Sequence, residues 1–113
     1  MMTLLTVFLK TYRRPHLLKD AIEGVLMQDF EDYQLVIHDD ASQDETQSIV
    51  EAYSDRRIRY IKAEENIGSV YGDTEIVRRL QVECKTRLVL HANDDDYLIK
   101  PDLFSTQVQL FDE

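Results

Sequence analysis

The amino-acid sequence predicts an α/β fold: an open parallel sheet with helices on both faces and strand order 3-2-1-4. Three observations predict it. Apolar, β-branched runs alternate with stretches of helical periodicity along the chain, and right-handed crossovers turn that alternation into a parallel sheet. The first run is continuously apolar, as a strand covered on both faces is. The third alternates apolar and basic residues, which suits an edge strand and places a switch point between strands one and four.

Residues 3–10 make the first strand, carried by Leu4, Leu5, Val7, Phe8 and Leu9. Pro15 then suits the first position of a helix, where its missing N–H has no partner to lose. Leu17, Leu18, Ala21, Ile22, Val25 and Leu26 recur on one face until about Gln28. Residues 33–38 form the second strand, around Leu35, Val36 and Ile37, closed by Asp39-Asp40-Ala41-Ser42. Ser42 and Glu45 have the spacing of a capping box, which predicts a helix starting at Ser42 with Ile49, Val50 and Tyr53 as its apolar stripe. Residues 57–62 are the alternating third strand, followed by a turn at Asn66-Ile67-Gly68. Val70, Ile76, Val77 and Leu80 mark another helix, and residues 86–91 a short buried strand ending before Asn93-Asp94-Asp95-Asp96. Pro101-Asp102 opens a last helix with Leu103, Phe104, Val108 and Phe111. A buried fourth strand at an edge calls for further sequence, cover by the last helix, or a second copy; a homodimer of this segment is one expected outcome.

At 113 residues, 43% hydrophobic and 31% charged, the composition is that of one globular domain spanning 1–113. A formal net charge of −9, with no basic stripe to offset it, argues against nucleic acid as a partner. No apolar stretch approaches the roughly eighteen residues of a membrane span, and the N-terminal run lacks a basic leader. Cys84 has no partner for an internal disulfide and reads as a packing thiol. His16, His38 and His91 are too scattered for a zinc site.

The chemistry gathers at strand ends. Thr11-Tyr12-Arg13, Asp39-Asp40, Asn66 and residues 93–96 each follow a predicted strand, on the rim where open parallel sheets bind ligands. In the order 3-2-1-4, Tyr12, Asp40 and Asp95 face one crevice. Any one such cluster on its own is also what an ordinary turn looks like, and Asp39 equally suits a carboxylate serving the next helix's N-terminus. Consecutive carboxylates after a buried strand repel one another unless a hard cation holds them. Magnesium or manganese fits: such ions take one or two protein carboxylates and leave positions for water and diphosphate oxygens. The ion would also stabilise charge on a diphosphate leaving a sugar. A carboxylate at Asp40 can accept a ring N–H of uracil, and Tyr12 can stack on a base.

The ordered set TYRRP, HDDASQDET, ENIG and HANDDDYLIKPD resembles the signature of inverting family-two glycosyltransferases, and covers nearly the whole chain. The resemblance implies the N-terminal nucleotide-sugar-binding half of a GT-A enzyme, a Rossmann-like sheet. It implies that Thr11 and Tyr12 line the nucleotide, that Asp40 contacts the base, that Asn93 to Asp95 occupy the DXD-type motif with Asp94 near ribose or metal, and that Asp95 binds a divalent cation, manganese or magnesium. It further implies a UDP-sugar donor, a carbohydrate or lipid-linked acceptor, and a general base beyond Glu113, so that the segment alone binds donor and transfers little. A cytoplasmic location, reaching the membrane surface in the full-length enzyme, goes with it. The chain departs from the family twice. Asn93 stands where many relatives carry aspartate, and Asp73 where many place an arginine near the diphosphate, with Arg78 and Arg79 only later. Arg13 and Arg14 are then the expected compensating charges. Those departures keep open a non-catalytic nucleotide-binding or assembly module of the same fold. A phospho-acceptor receiver domain is disfavoured, because the paired acids follow strands two and four instead of strand one.

Overall fold

The computed structural model describes residues 4–64, 86, 88–93 and 103–112. The elements are β1 (Leu5–Thr11), α1 (Pro15–Leu26), β2 (Tyr33–Asp39), α2 (Thr46–Glu51), β3 (Ile58–Lys62), β4 (Leu88–Asn93) and α3 (Leu103–Asp112). The four strands form one sheet in the order β3-β2-β1-β4, every pair parallel, so the edge position of the alternating strand is realised.

Strand periodicity divides the side chains into two layers. Val7, Leu9, Leu35 and Ile37 face α1, whose Leu18, Ile22 and Val25 meet them with essentially no exposure; Val50 of α2 and Phe104 of α3 join the same cluster. Burying an aliphatic or aromatic side chain of this kind contributes about 1.5–3 kcal/mol, so this layer dominates the stability of the sheet. On the opposite face Phe8 and Val36 are buried with Ile61 against them. The helix expected over residues 70–80 lies outside the described residues, as do the turn at Asn66, Cys84, and Asp73, Arg78 and Arg79. Thr6, in the middle of the apolar run, is buried but bonded. Gln34 Nε2 donates to its hydroxyl at 2.7 Å, that hydroxyl lies 2.7 Å from Thr86 Oγ1, and Thr86 donates on to the Leu88 carbonyl at 3.1 Å.

Four local expectations are corrected. Leu17 is 44% exposed; it sits about 110° around the helix from the centre of the Leu18–Ile22–Val25 stripe. β4 runs two residues further than residues 86–91 would have it, to Asn93, and Val89 is 42% exposed instead of buried. α1 stops at Leu26, with the Met27 N–H closing on the Glu23 carbonyl at 3.0 Å. Most consequentially, the capping box at Ser42 does not form. α2 begins at Thr46, and the carboxylate at its N-terminus is Asp44, which accepts from both the Thr46 N–H, at 2.9 Å, and the Thr46 hydroxyl. The Thr46 hydrogen bond holds the Asp44 carboxyl below the usual carboxylate range. Ser42 is engaged elsewhere, and where it goes defines the site.

Candidate functional site

The register of the sheet builds the rim. Thr11 pairs with Asp39, Asp39 with Lys62, and Lys10 with Asn93, so the C-terminal ends of all four strands finish level. β1 lies between β2 and β4, and its C-terminal end is therefore flanked by Asp39 and Asp40 on one side and by Asn93 on the other. Thr11, Tyr12, Asp40 and Asn93 are thus brought to one rim, as expected. Asp94, Asp95 and Asp96 lie outside the described residues.

Two loops are knitted together there. The Asp40 N–H donates to the Thr11 carbonyl at 3.0 Å, continuing the β1–β2 ladder by one residue. The Arg13 N–H then donates to Ser42 Oγ at 2.8 Å. Ser42 is placed for this by Asp39, whose Oδ1 accepts the Ser42 N–H at 2.9 Å. The other carboxylate oxygen accepts the Tyr60 hydroxyl from β3 at 2.5 Å, and the Asp39 carbonyl accepts the Ala63 N–H at 2.8 Å. Asp39 is wholly buried and Asp40 is 3% exposed. The Tyr60 phenol is pushed well above its ordinary range, first by burial, then by its bond to Asp39 and the charges of Asp39, Glu51 and Asp44. It is therefore a hydroxyl donor throughout the neutral range.

Both loops need left-handed backbone at a non-glycine residue, Arg13 at φ 53° and Ala41 at φ 67°. Such conformations cost on the order of 1–3 kcal/mol and persist where surrounding bonds hold them, which here are the Arg13–Ser42 and Ser42–Asp39 contacts. Tyr12 is half-buried, and the Arg13 guanidinium lies over its ring, 5.2 Å from the centroid. This cation–π contact holds Arg13 beside the Tyr12 ring. Arg14, in the same loop, is exposed.

Sequence reasoning missed the roles of Asp39, Ser42 and Tyr60. One signal was available. Asp39 follows Leu35 and Ile37 at a spacing of two, so its carboxylate points into the buried layer, where it requires donors. Tyr60 pairs with Ile37 and shares that face.

Among the described residues no group of three His, Cys, Asp or Glu side chains gathers to hold a metal. Asn93, the first residue of the acidic run, ends β4 beside Lys10, and Asp94 and Asp95 come next in the sequence. Their donor chemistry, hard oxygen on a short run, is suited to magnesium or manganese. No helix among the described residues is long and apolar enough to cross a membrane.

Comparison with known proteins agrees with this fold. The model of the family described as Glycosyl transferase family 2 matches residues 6–113. The putative colanic acid biosynthesis glycosyl transferase WcaA of Escherichia coli K12 is 32% identical over 95 residues, 82% of this chain and 33% of that protein. The GalNAc(5)-diNAcBac-PP-undecaprenol beta-1,3-glucosyltransferase of Campylobacter jejuni is 40% identical over 58 residues, 50% of this chain and 19% of that one. Among solved structures, S. aureus TarS in complex with UDP superposes with a TM-score of 0.83 at 23% identity, over 96% of this chain and 32% of that one. The mannosyltransferase PcManGT of Pyrobaculum calidifontis, in complex with GDP-Man and Mn2+, gives 0.83 at 20% identity, over 100% and 33%. The fold is that of the GT-A glycosyltransferases, and the chain belongs to glycosyl transferase family 2. It spans about a third or less of the length of these relatives.

Proposed function

We propose that this chain supplies the donor-nucleotide and metal site of an inverting glycosyltransferase that moves a sugar from a nucleotide diphosphate, UDP in the first instance, to an acceptor hydroxyl. The observation that carries the reading is the register that pairs Thr11 with Asp39 and Lys10 with Asn93 at the rim, with the Tyr12 and Asp40 loops bonded to each other. Support comes also from the TarS structures with UDP and UDP-GlcNAc and from PcManGT with GDP-Man and Mn2+.

Each residue has a stated task. Thr11 and Tyr12 line the nucleotide, Tyr12 offering an aromatic face to the base. The Asp40 carboxylate accepts a ring N–H of uracil. Asn93 and Asp94 hydrogen-bond ribose, and Asp95 holds the divalent cation. That cation, when bound, supplies Lewis-acid stabilisation of charge on the departing diphosphate. The chain's net charge of −9 disfavours the approach of a diphosphate, and such a cation would offset that. The general base lies outside this segment, and the acceptor is a carbohydrate or a lipid-linked sugar.

Calorimetric titration of UDP with and without manganese, on wild type and Asp95→Ala, tests the reading. Manganese-dependent binding that Asp95→Ala abolishes is the expected result. Wild type that takes up no UDP in the presence of manganese would overturn it.

A further inference from the structure

The hydrogen bonds around Asp39 form one continuous chain that begins on an edge strand and ends beside Tyr12. A carboxylate with no exposure is costly unless donors reach its oxygens, and here one donor reaches each: Ser42 N–H on Oδ1 at 2.9 Å and Tyr60 O–H on Oδ2 at 2.5 Å. The Ser42 hydroxyl carries the connection onward to the Arg13 N–H at 2.8 Å. Between these bonds stand both left-handed residues, Ala41 and Arg13, so the strain is held by the same contacts that join the loops. If the Tyr60 hydroxyl is lost, Oδ2 is left buried without that donor. Asp39 then has reason to rotate toward other donors, and that change loosens Ser42 and, through it, Arg13.

We infer that Tyr60 is a positioning residue of the donor site: acting through Asp39 and Ser42, it sets the separation of the Tyr12 and Asp40 loops and hence the fit of the nucleotide base. The assignment rests on the donor site proposed above and adds to it a control of base recognition exerted from β3, by a residue that need not touch the nucleotide. The raised phenol pKa agrees with this role, since the hydroxyl stays a donor at any pH where the enzyme would work.

The test compares wild type, Tyr60→Phe, Ser42→Ala and the double variant by calorimetric titration of UDP with manganese and of uridine alone. Amide hydrogen exchange is followed at Arg13 and Ser42 in the nucleotide-free protein. Tyr60→Phe is expected to weaken UDP and uridine by the same factor, about tenfold, because the loss lies in base recognition. The double variant is expected to be little weaker than either single one, because both break the same chain; independent structural effects would add instead. The Arg13 and Ser42 amides are expected to exchange faster in Tyr60→Phe without nucleotide. Wild type binding that Tyr60→Phe leaves intact, or unchanged exchange at both amides, would overturn the assignment alone. Wild type that binds neither UDP nor uridine would remove the donor site and the assignment with it. Should Tyr60→Phe fail to fold, Ser42→Ala decides from the other end of the chain, and unaltered nucleotide affinity in that variant overturns the inference.

Discussion

Arg13 and Ala41 are the non-glycine residues with left-handed backbone among the described residues, at φ 53° and 67°, and a single side chain, Ser42, ties them together. The Ser42 amide is bonded to Asp39 immediately after Ala41, and its hydroxyl to the Arg13 amide. A loop that needs positive φ is ordinarily given to glycine or asparagine. Keeping alanine here means that the hydrogen bonds, and not the residue's own preference, hold the shape.

Ala41→Gly is therefore expected to stabilise the protein. Glycine relieves the left-handed conformation but has more unfolded freedom to lose, so the net gain is roughly 0.5–1 kcal/mol. A gain of that size in a domain this small raises the thermal midpoint by a few degrees, about 2–8 °C. A midpoint that falls on this substitution would mean that the alanine methyl contributes packing that outweighs the strain.

Gln28 performs a task visible only in three dimensions. Its side-chain Oε1 accepts the N–H of Phe104, in the first turn of α3, at 3.0 Å, while its Nε2 donates to the Gly24 carbonyl at 3.3 Å. Gln28 thus acts as a cap supplied from the segment just after α1, and Phe104 is at the same time packed edge-on against Tyr33 at 5.6 Å between centroids. Gln28→Ala is expected to cost about 1–2 kcal/mol, the usual loss for a cap whose partner is buried, and to speed exchange of the Phe104 amide. A urea denaturation series with exchange at that amide checks both; a stability loss with Phe104 exchange unaltered would place the cost elsewhere.

The contrast between these residues shows what a sequence discloses. Strands β1 and β2 were legible because runs such as Leu4 to Leu9 and Leu35 to Ile37 suit a strand buried on both faces, and the strand order followed from the alternation at Ile58 to Lys62. The rim positions of Thr11, Tyr12, Asp40 and Asn93 followed in turn, since strand ends of a parallel sheet share an edge. The start of α2 was misread because Ser42 and Glu45 match a local pattern, whereas Ser42's real partners are the Arg13 amide, distant in the chain, and the Asp39 carboxylate, which competes for its amide more effectively. Gln28 and Phe104 are further apart still. Contacts of that range leave no trace in a window of neighbouring residues. Asp39 is the intermediate case: its strand parity pointed inward, yet its neighbour Asp40 drew the functional role.

Acid should expose the clamp at the start of β3. Arg57 Nε and the NH2 nitrogen donate to the two Asp55 carboxylate oxygens at 3.0 and 2.8 Å, its amide donates to Asp55 Oδ1 at 2.9 Å, and its guanidinium lies 4.3 Å from the Tyr33 ring centroid. The Arg57 hydrogen bond holds the Asp55 carboxyl below its ordinary range. A depressed carboxyl pKa gives stability that is present above the unfolded value, near 3.9, and is lost as pH falls through the folded value. Asp55→Asn keeps an acceptor for the Arg57 amide and removes the charge. It is expected to be less stable than wild type at neutral pH, by up to about 1 kcal/mol for a partly exposed pair. The two midpoints should converge as the pH drops below the carboxylate range. A gap that persists in acid would assign the loss to packing on Tyr33 instead of charge.

Alkali should act through the tyrosines, with the opposite sign. Tyr33 is raised chiefly by burial. Tyr53, just past α2, donates its hydroxyl to Glu23 Oε1 of α1 at 3.2 Å and is pushed up to about 12 by burial, the Glu23 charge and that bond. Tyr60 is raised further by Asp39. A phenol whose folded pKa lies above its unfolded value contributes stability that is complete below about 10, the unfolded value, and is lost as pH rises through the folded one, because between the two the unfolded chain binds fewer protons. Denaturant midpoints should therefore hold up to about pH 10 and fall beyond it. Phenolate absorbance should show Tyr53 ionising late, a component missing from Tyr53→Phe. In Tyr60→Phe the alkaline fall in stability should be shallower than in wild type, since the Tyr60 proton no longer takes part. An equal fall in both proteins would mean that the Tyr60 hydroxyl does not hold Asp39 as the 2.5 Å contact implies.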